Sequence, residues 1–185
     1  MSRTGSRSAF TIVELAVVVA LLGVLVTMIA PRLSGAAGGS RLREAARRVQ
    51  AAAQYARDDA VTHRRICRLS LDRAAGRFAL LAQADPAGQS DRFEPLAGPM
   101  GRPQALGAPV AFDPIRIDPM PDRTGAGRLD DCIDFDPLGR ADGAIVGVTD
   151  GRAVYTLRVA PTTARVELLE GPQTEWLCDR EDLDE

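Results

Sequence analysis

The stretch "SAFTIVELAVVVALLGVLVTMIAP", residues 8–31, decides how the whole chain is read. Leu15 to Ala30 are free of formal charge. Counted from Phe10, the run makes a helix of ~31 Å at about 1.5 Å per residue, which matches a hydrocarbon core of ~30 Å. Yet a glutamate, Glu14, stands just inside its start. A charge in a bilayer is costly, and as a rule it has a partner and a task. Arg3 and Arg7 precede the run with no acidic residue among them. That predicts an N-terminus kept in the cytoplasm and a body across the membrane.

Two readings of the segment compete. One is an ordinary secretory signal, with a basic start, an apolar centre and small residues in "SGAAGGS" (34–40) offering a cut after the apolar run; the product would be a secreted globular protein. Glu14 opposes this, because an acid there hinders insertion and brings a discarded peptide no benefit. The other reading gives Glu14 a role. "AFTIVEL", Ala9 to Leu15, resembles the cleavage motif of type IV prepilins and type II secretion pseudopilins, with Ala9 in place of the usual Gly. The resemblance implies that a prepilin peptidase cuts between Ala9 and Phe10 and that the new amine of Phe10 is methylated. The apolar segment is then retained as an anchor and assembly helix, with Glu14 the fifth mature residue. In a packed filament Glu14 of one subunit pairs with the amine of Phe10 on its neighbour. Low dielectric strengthens such a pair and penalises an unpaired charge, so it sets register between helices. "APRL" (Ala30 to Leu33) also resembles the family, and Pro31 is expected to kink or interrupt the helix.

Beyond a joint at Ser34 to Ser40, apolar residues recur as Leu42, Ala46, Val49, Ala53, Ala56 and Ala60, one face of a helix. Arg41, Arg43, Arg47, Arg48 and Arg57 fall mostly off that stripe and read as a solvated face or as a site for an anionic partner. The period then changes. "ICRLSL" (Ile66 to Leu71), the turn "DRAAG" and "RFALLA" (Arg77 to Ala82) predict a hairpin. Residues 83–108, rich in Pro and Gly, read as a loop or a poorly packed excursion. "PVAFDPIRI" (Pro109 to Ile117) reads as an edge strand, since Pro114 cannot donate to a ladder. "CIDFD" (from Cys132), "AIVGVT" (from Ala144), "AVYTLRVA" (from Ala153) and "RVELLE" (from Arg165) are expected to complete a sheet, with Asp150-Gly151 marking a hairpin.

Membrane helix, amphipathic helix and antiparallel sheet give an α+β fold with a long N-terminal helix packed on the sheet domain. The order resembles the type IV pilin-like family over nearly the whole chain, most of all the H-type minor pseudopilins of type II secretion (GspH) and their pilus relative FimT. The carrying segments are "YARDDAVTHRRICRLSLDRAAGRFAL" from Tyr55 and "IDFDPLGRADGAI" from Ile133. Phe135, Pro137 and Gly139 match the family's F-x-P-x-G turn, while Ala164 stands where the family usually has Gly. The implied division is a cytoplasmic leader over 1–9, a transmembrane assembly helix over 10–31, a joint and amphipathic helix over 32–65, a periplasmic sheet domain over 66–170 and an acidic tail over 171–185.

The resemblance implies a structural subunit of a pseudopilus, at or near its tip, anchored in the inner membrane with its C-terminal domain in the periplasm. Its partners would be the prepilin peptidase and other pseudopilins in a helical filament. The alternative is a FimT-like minor pilin in pilus assembly or DNA uptake. DNA uptake would call for basic residues near the C-terminus, and "CDREDLDE" repels phosphate, so nucleic acid is not expected.

The chain offers no catalytic constellation, cofactor loop or metal-ligand spacing. Asp130, Asp131, Asp134 and Asp136 suggest calcium, but Leu138 and Ile145 occupy positions where a calcium loop needs polar ligands, so a solvated turn is expected. His63 reads as a surface histidine. Three cysteines allow three pairings; in the periplasm, where disulfides persist, the expectation is Cys132 bonded to Cys178 with Cys67 free and buried. All 23 basic residues are arginine, which reads as coding bias rather than chemistry.

Overall fold

The computed structural model describes residues 12–85, 92–121 and 131–177, and of 24–38 the backbone alone. Helix α1 spans Ile12–His63. Helix continues past Pro31, where a kink or interruption is expected from sequence, and through the segment Ser34 to Ser40 read as a joint. Pro31 forfeits one intrahelical bond, and each glycine costs about 1 kcal/mol, while the leucines, alanines and arginines on either side favour propagation. The chain still divides into two compact units at this point, Met1–Gly39 and Ser40–Glu185.

In the second unit the predicted stripe is the buried face of α1. Leu42, Ala46, Val49, Ala53, Ala56 and Ala60 are fully buried, joined by Ala45 and Ala52. The helix ends where Arg64 takes a left-handed φ of 50°, and the Arg65 N–H donates to the Ala60 carbonyl at 3.2 Å. That turn closes the last helical carbonyls and feeds the chain into the first strand.

Among the described residues nine strands follow: β1 (Cys67–Asp72), β2 (Arg77–Gln83), β3 (Phe93–Pro95), β4 (Gln104–Ala105), β5 (Ala111–Asp118), β6 (Cys132–Phe135), β7 (Gly143–Thr149), β8 (Val154–Val159) and β9 (Val166–Glu170). The single expected sheet is corrected to two antiparallel sheets. One runs β3-β2-β1-β6 with β4 also on β2, and the other β5-β7-β8-β9. The β6–β7 turn joins them, with a bridge from Phe135 to Ala141. The expected 83–108 excursion contains β3, β4 and a 3-10 turn at Pro99–Gly101, and it buries Leu96 and Leu106 against the core.

The hairpin turns follow local chemistry. Asp150 Oδ1 accepts the Arg152 and Ala153 N–H groups, both at 2.9 Å, and Gly151 has φ 82°. Strand β5 is an edge strand, as Pro114 requires, with a register shift between Phe112 and Ile115. Opposite this irregularity lies Gly147, where an added Cβ would fall 2.1 Å from the Asp113 carbonyl oxygen. Ala164, between β8 and β9, is buried with a left-handed φ of 48°, the conformation that makes glycine the easier residue there. Phe78, Phe112 and Phe135 supply the bulk of a core whose helical side is mostly alanine.

Candidate assembly helix

In the first unit the described side chains run from Ile12 to Gly23. Ile12, Val13, Leu15, Val17, Val18, Val19, Leu21 and Leu22 are all exposed, from 43% at Val18 to 86% at Ile12. Their spacing covers the whole circumference of the helix. A helix apolar all round is stable only inside a surround, either lipid or other helices. Glu14 is the sole charge in this stretch and falls in the first turn of α1, where exposed N–H groups favour a carboxylate. Among the described residues no helix is long and apolar enough to cross a membrane. The expected span over 10–31, the leader, and the Ala9–Phe10 cleavage and methylation site lie partly or wholly outside those residues.

In the second unit the end of α1 is tied to β1 through Asp59, a residue the periodicity did not single out. Its buried carboxylate accepts from Arg65 Nε at 3.0 Å, from the Cys67 thiol at 3.0 Å and pairs with His63 Nδ1 at 3.0 Å. Burial alone would raise its pKa, but the Cys67 and Arg65 hydrogen bonds and the Arg65 and His63 charges outweigh burial and hold it low. Cys67 is a free buried thiol, as expected, and burial first, then the Asp59 carboxylate, push its pKa strongly up. A carboxylate held in its ionised form is a poor proton acceptor, so the Asp59–Cys67 pair is structural and does not activate a nucleophile. His63 is a surface histidine with a structural carboxylate partner.

The acidic cluster is not the solvated turn expected from sequence. Asp134 is buried and held by Arg68, with Nε at 2.6 Å and a second guanidinium nitrogen at 2.8 Å. Arg68 stacks 3.8 Å from the Phe93 ring centroid, and its pairing with Asp134 overcomes the opposing effect of burial to raise its pKa. Asp142, fully buried, accepts the backbone N–H groups of Met120 at 2.9 Å and Asp134 at 2.7 Å. Asp136 accepts from the Leu138 and Arg140 N–H groups and from Arg140 Nε, closing the F-x-P-x-G turn around Gly139 at φ 81°. These oxygens are engaged by protein donors, and among the described residues no group of three or more His, Cys, Asp or Glu is placed to hold a metal ion. Asp130 lies outside the described residues. Cys132 is buried at the start of β6; Cys178 and the expected Cys132–Cys178 bond lie outside the described residues.

Among solved structures the chain is similar to the minor pseudopilin EpsH from the Type 2 Secretion System of Vibrio cholerae. One structure of it aligns at 8% identity and TM-score 0.56 over 73% of this chain and 99% of that one. A second aligns at 11% identity and TM-score 0.53 over 74% and 98%. The type IV minor pilin FimU of Pseudomonas aeruginosa strain PAO1 aligns at 16% identity and TM-score 0.50 over 74% and 96%. No protein-family model matches the chain, and no curated protein matches it by sequence. At such identities the likeness is one of fold: a helix followed by antiparallel sheets, the type IV pilin-like architecture.

Proposed function

We propose that this chain is a minor pseudopilin, a structural subunit at or near the tip of a type II secretion pseudopilus, supporting protein export across the outer membrane. The observation that carries the reading is the apolar helix of the first unit. It is exposed on every side and bears one carboxylate in its first turn, in a chain whose other unit has the pilin-like fold. In this reading a prepilin peptidase removes residues 1–9, and Phe10 becomes the methylated mature N-terminus. Residues 10–31 anchor the subunit in the inner membrane before it enters the filament, and the sheet domain stands in the periplasm. Glu14 pairs with the Phe10 amine of an adjacent subunit, so the carboxylate inside the apolar run is a register mark between helices. The protein works by packing, not by catalysis.

The FimU likeness supports a second reading, a minor pilin of a type IV pilus. Both readings require the same processing. Mass spectrometry of membrane-extracted protein should therefore give a chain beginning at methylated Phe10. A mature start near Gly38 would instead identify a cleaved secretory signal and reject both. Deletion of the gene then separates them: loss of secretion with intact piliation is expected for the pseudopilin.

A further inference from the structure

In the second unit α1 carries a cluster of charges that the described fold does not use. Arg41, Arg43 and Arg47 are exposed, as is Glu44 among them, and none of the four makes an ion pair with a described residue. Arg43 and Arg47 lie one helical turn apart, so they share a side of the helix. The core covers the opposite side, the stripe from Leu42 to Ala60.

Arg48 is held differently. It donates to the carbonyls of Ala105 at 3.2 Å and Leu106 at 3.0 Å, and so stands as a fixed rib between α1 and the chain that leaves β4. Surface grooves flank this rib on two sides. One is lined by Arg43, Arg47 and Ala51, the other by Arg41, Gly107 and Ala108, and Glu44 lines both. Four arginines thus surround one acid, on a surface with relief.

These features restrict what can cover the face. Guanidinium groups hold carboxylates and phosphates alike through paired N–H donors. An anionic lipid surface or a nucleic-acid backbone offers the patch phosphate, and Glu44 in its middle counts against both. A folded protein face carries charges of both signs. It can set carboxylates on the arginines and a basic side chain on Glu44, while its other side chains fill the grooves beside Arg48. A second copy is a poor fit, because in the assembly reading above this chain is a minor subunit whose neighbours are other pilin-like subunits.

We propose that the Arg41–Arg48 face of α1 docks an acidic face of a pilin-like subunit of different sequence, with Glu44 meeting a basic side chain of that partner. The proposal rests on the assembly reading and adds to it the docking surface and the charge of the partner.

The chain contains no lysine, which makes a selective test possible. The full-length protein carrying Arg43→Lys and Arg47→Lys keeps its charge and gains two side-chain amines. Membranes from cells producing it are treated with a zero-length carbodiimide, and the linked peptides are sequenced by mass spectrometry. The expected product joins position 43 or 47 to an aspartate or glutamate of another chain, one with its own prepilin-type start and a different sequence. Its yield should fall severalfold from about 0.1 M to about 1 M salt, as the Debye length shortens from ~10 Å to ~3 Å. Arg43→Glu with Arg47→Glu should reduce co-purification of that subunit severalfold, and changing its linked acids to lysine should restore it. Links only within the chain or to a second copy, links only to proteins of other kinds, or no link at all would overturn the proposal. So would failure of the charge exchange to restore binding. Binding of the purified protein to phosphatidylglycerol vesicles or to duplex DNA, abolished by the same two glutamates, would overturn it in favour of phosphate. The mature N-terminus is read in the same material. A start at Phe10 without the link removes this contact and leaves the assembly reading standing, whereas a start near Gly38 removes both.

Discussion

Arg68 and Asp134 are direct register partners across the β1–β6 pairing, and their side chains close a two-point ion pair inside the protein, 66 residues apart in sequence. The pair staples the first hairpin to the strand that leads into the second sheet. Arg68→Met should cost ~3–5 kcal/mol of unfolding free energy, because it strands a buried carboxylate. The Arg68→Met, Asp134→Leu double variant should recover much of that loss. Urea unfolding of the two variants checks this, and a double variant weaker than the single one would count against the pair as the cause.

Gly147 should tolerate no side chain. A Cβ there would meet the Asp113 carbonyl oxygen at 2.1 Å and Pro114 Cδ at 2.9 Å, whereas at Gly143 the nearest atom is 3.5 Å away. Gly147→Ala is therefore expected to destabilise by ~1–3 kcal/mol, the usual range for overpacking, with Gly143→Ala well below it. Thermal melts of both variants give the comparison.

Acid should weaken the joint between α1 and β1. The Asp59 pKa is depressed in the folded protein, so its contribution is fully present above its unfolded value of 3.8 and is lost as pH falls below that value towards the folded one. Asp59→Asn should cost ~1.5–3 kcal/mol near pH 7, in line with hydrogen bonds to a charged group. The gap between variant and parent should narrow below about pH 3.8, as denaturant titrations at several pH values would record. A gap that stays constant into acid would rule out the carboxylate charge as its origin.

Glu14→Ala removes the single charge from the exposed apolar helix. Membrane insertion should be unchanged or improved, since the apolar run only gains. Incorporation into filaments and export should both fall severalfold, measured by pulldown of sister subunits and by the amount of secreted substrate. Normal assembly by this variant would defeat the register role.

The parts of this fold visible in the sequence are those with a local cause. The α1 stripe follows from a period of three and four, and the β7–β8 hairpin from Asp150-Gly151. Cys67, Leu69 and Leu71 alternate inward as their spacing predicts. What escaped notice depends on distant pairing. Nothing near Arg68 announces Asp134, although an arginine in an alternating apolar strand and a carboxylate inside "CIDFD" were the available signal. The split into two sheets likewise rests on β6 choosing β1 as its neighbour, and Asp136 looked solvated because its donors, in the Leu138–Arg140 turn, are mainly backbone. Of the candidate assembly site, Glu14 and the apolar run were legible from composition alone. Asp59 was not, since its partners are assembled by the left-handed turn at Arg64.

The alanine face of α1 has a mechanical implication. Small side chains against Phe78, Phe112 and Phe135 present few knobs, so dispersion contacts set the helix's depth better than its axial position. Among the described residues two polar clamps fix that position: Arg48 on the Ala105 and Leu106 carbonyls near one end, and Asp59 on Arg65 and Cys67 near the other. Under a pull along the helix these clamps bear the shear, and they would yield before the apolar core parts.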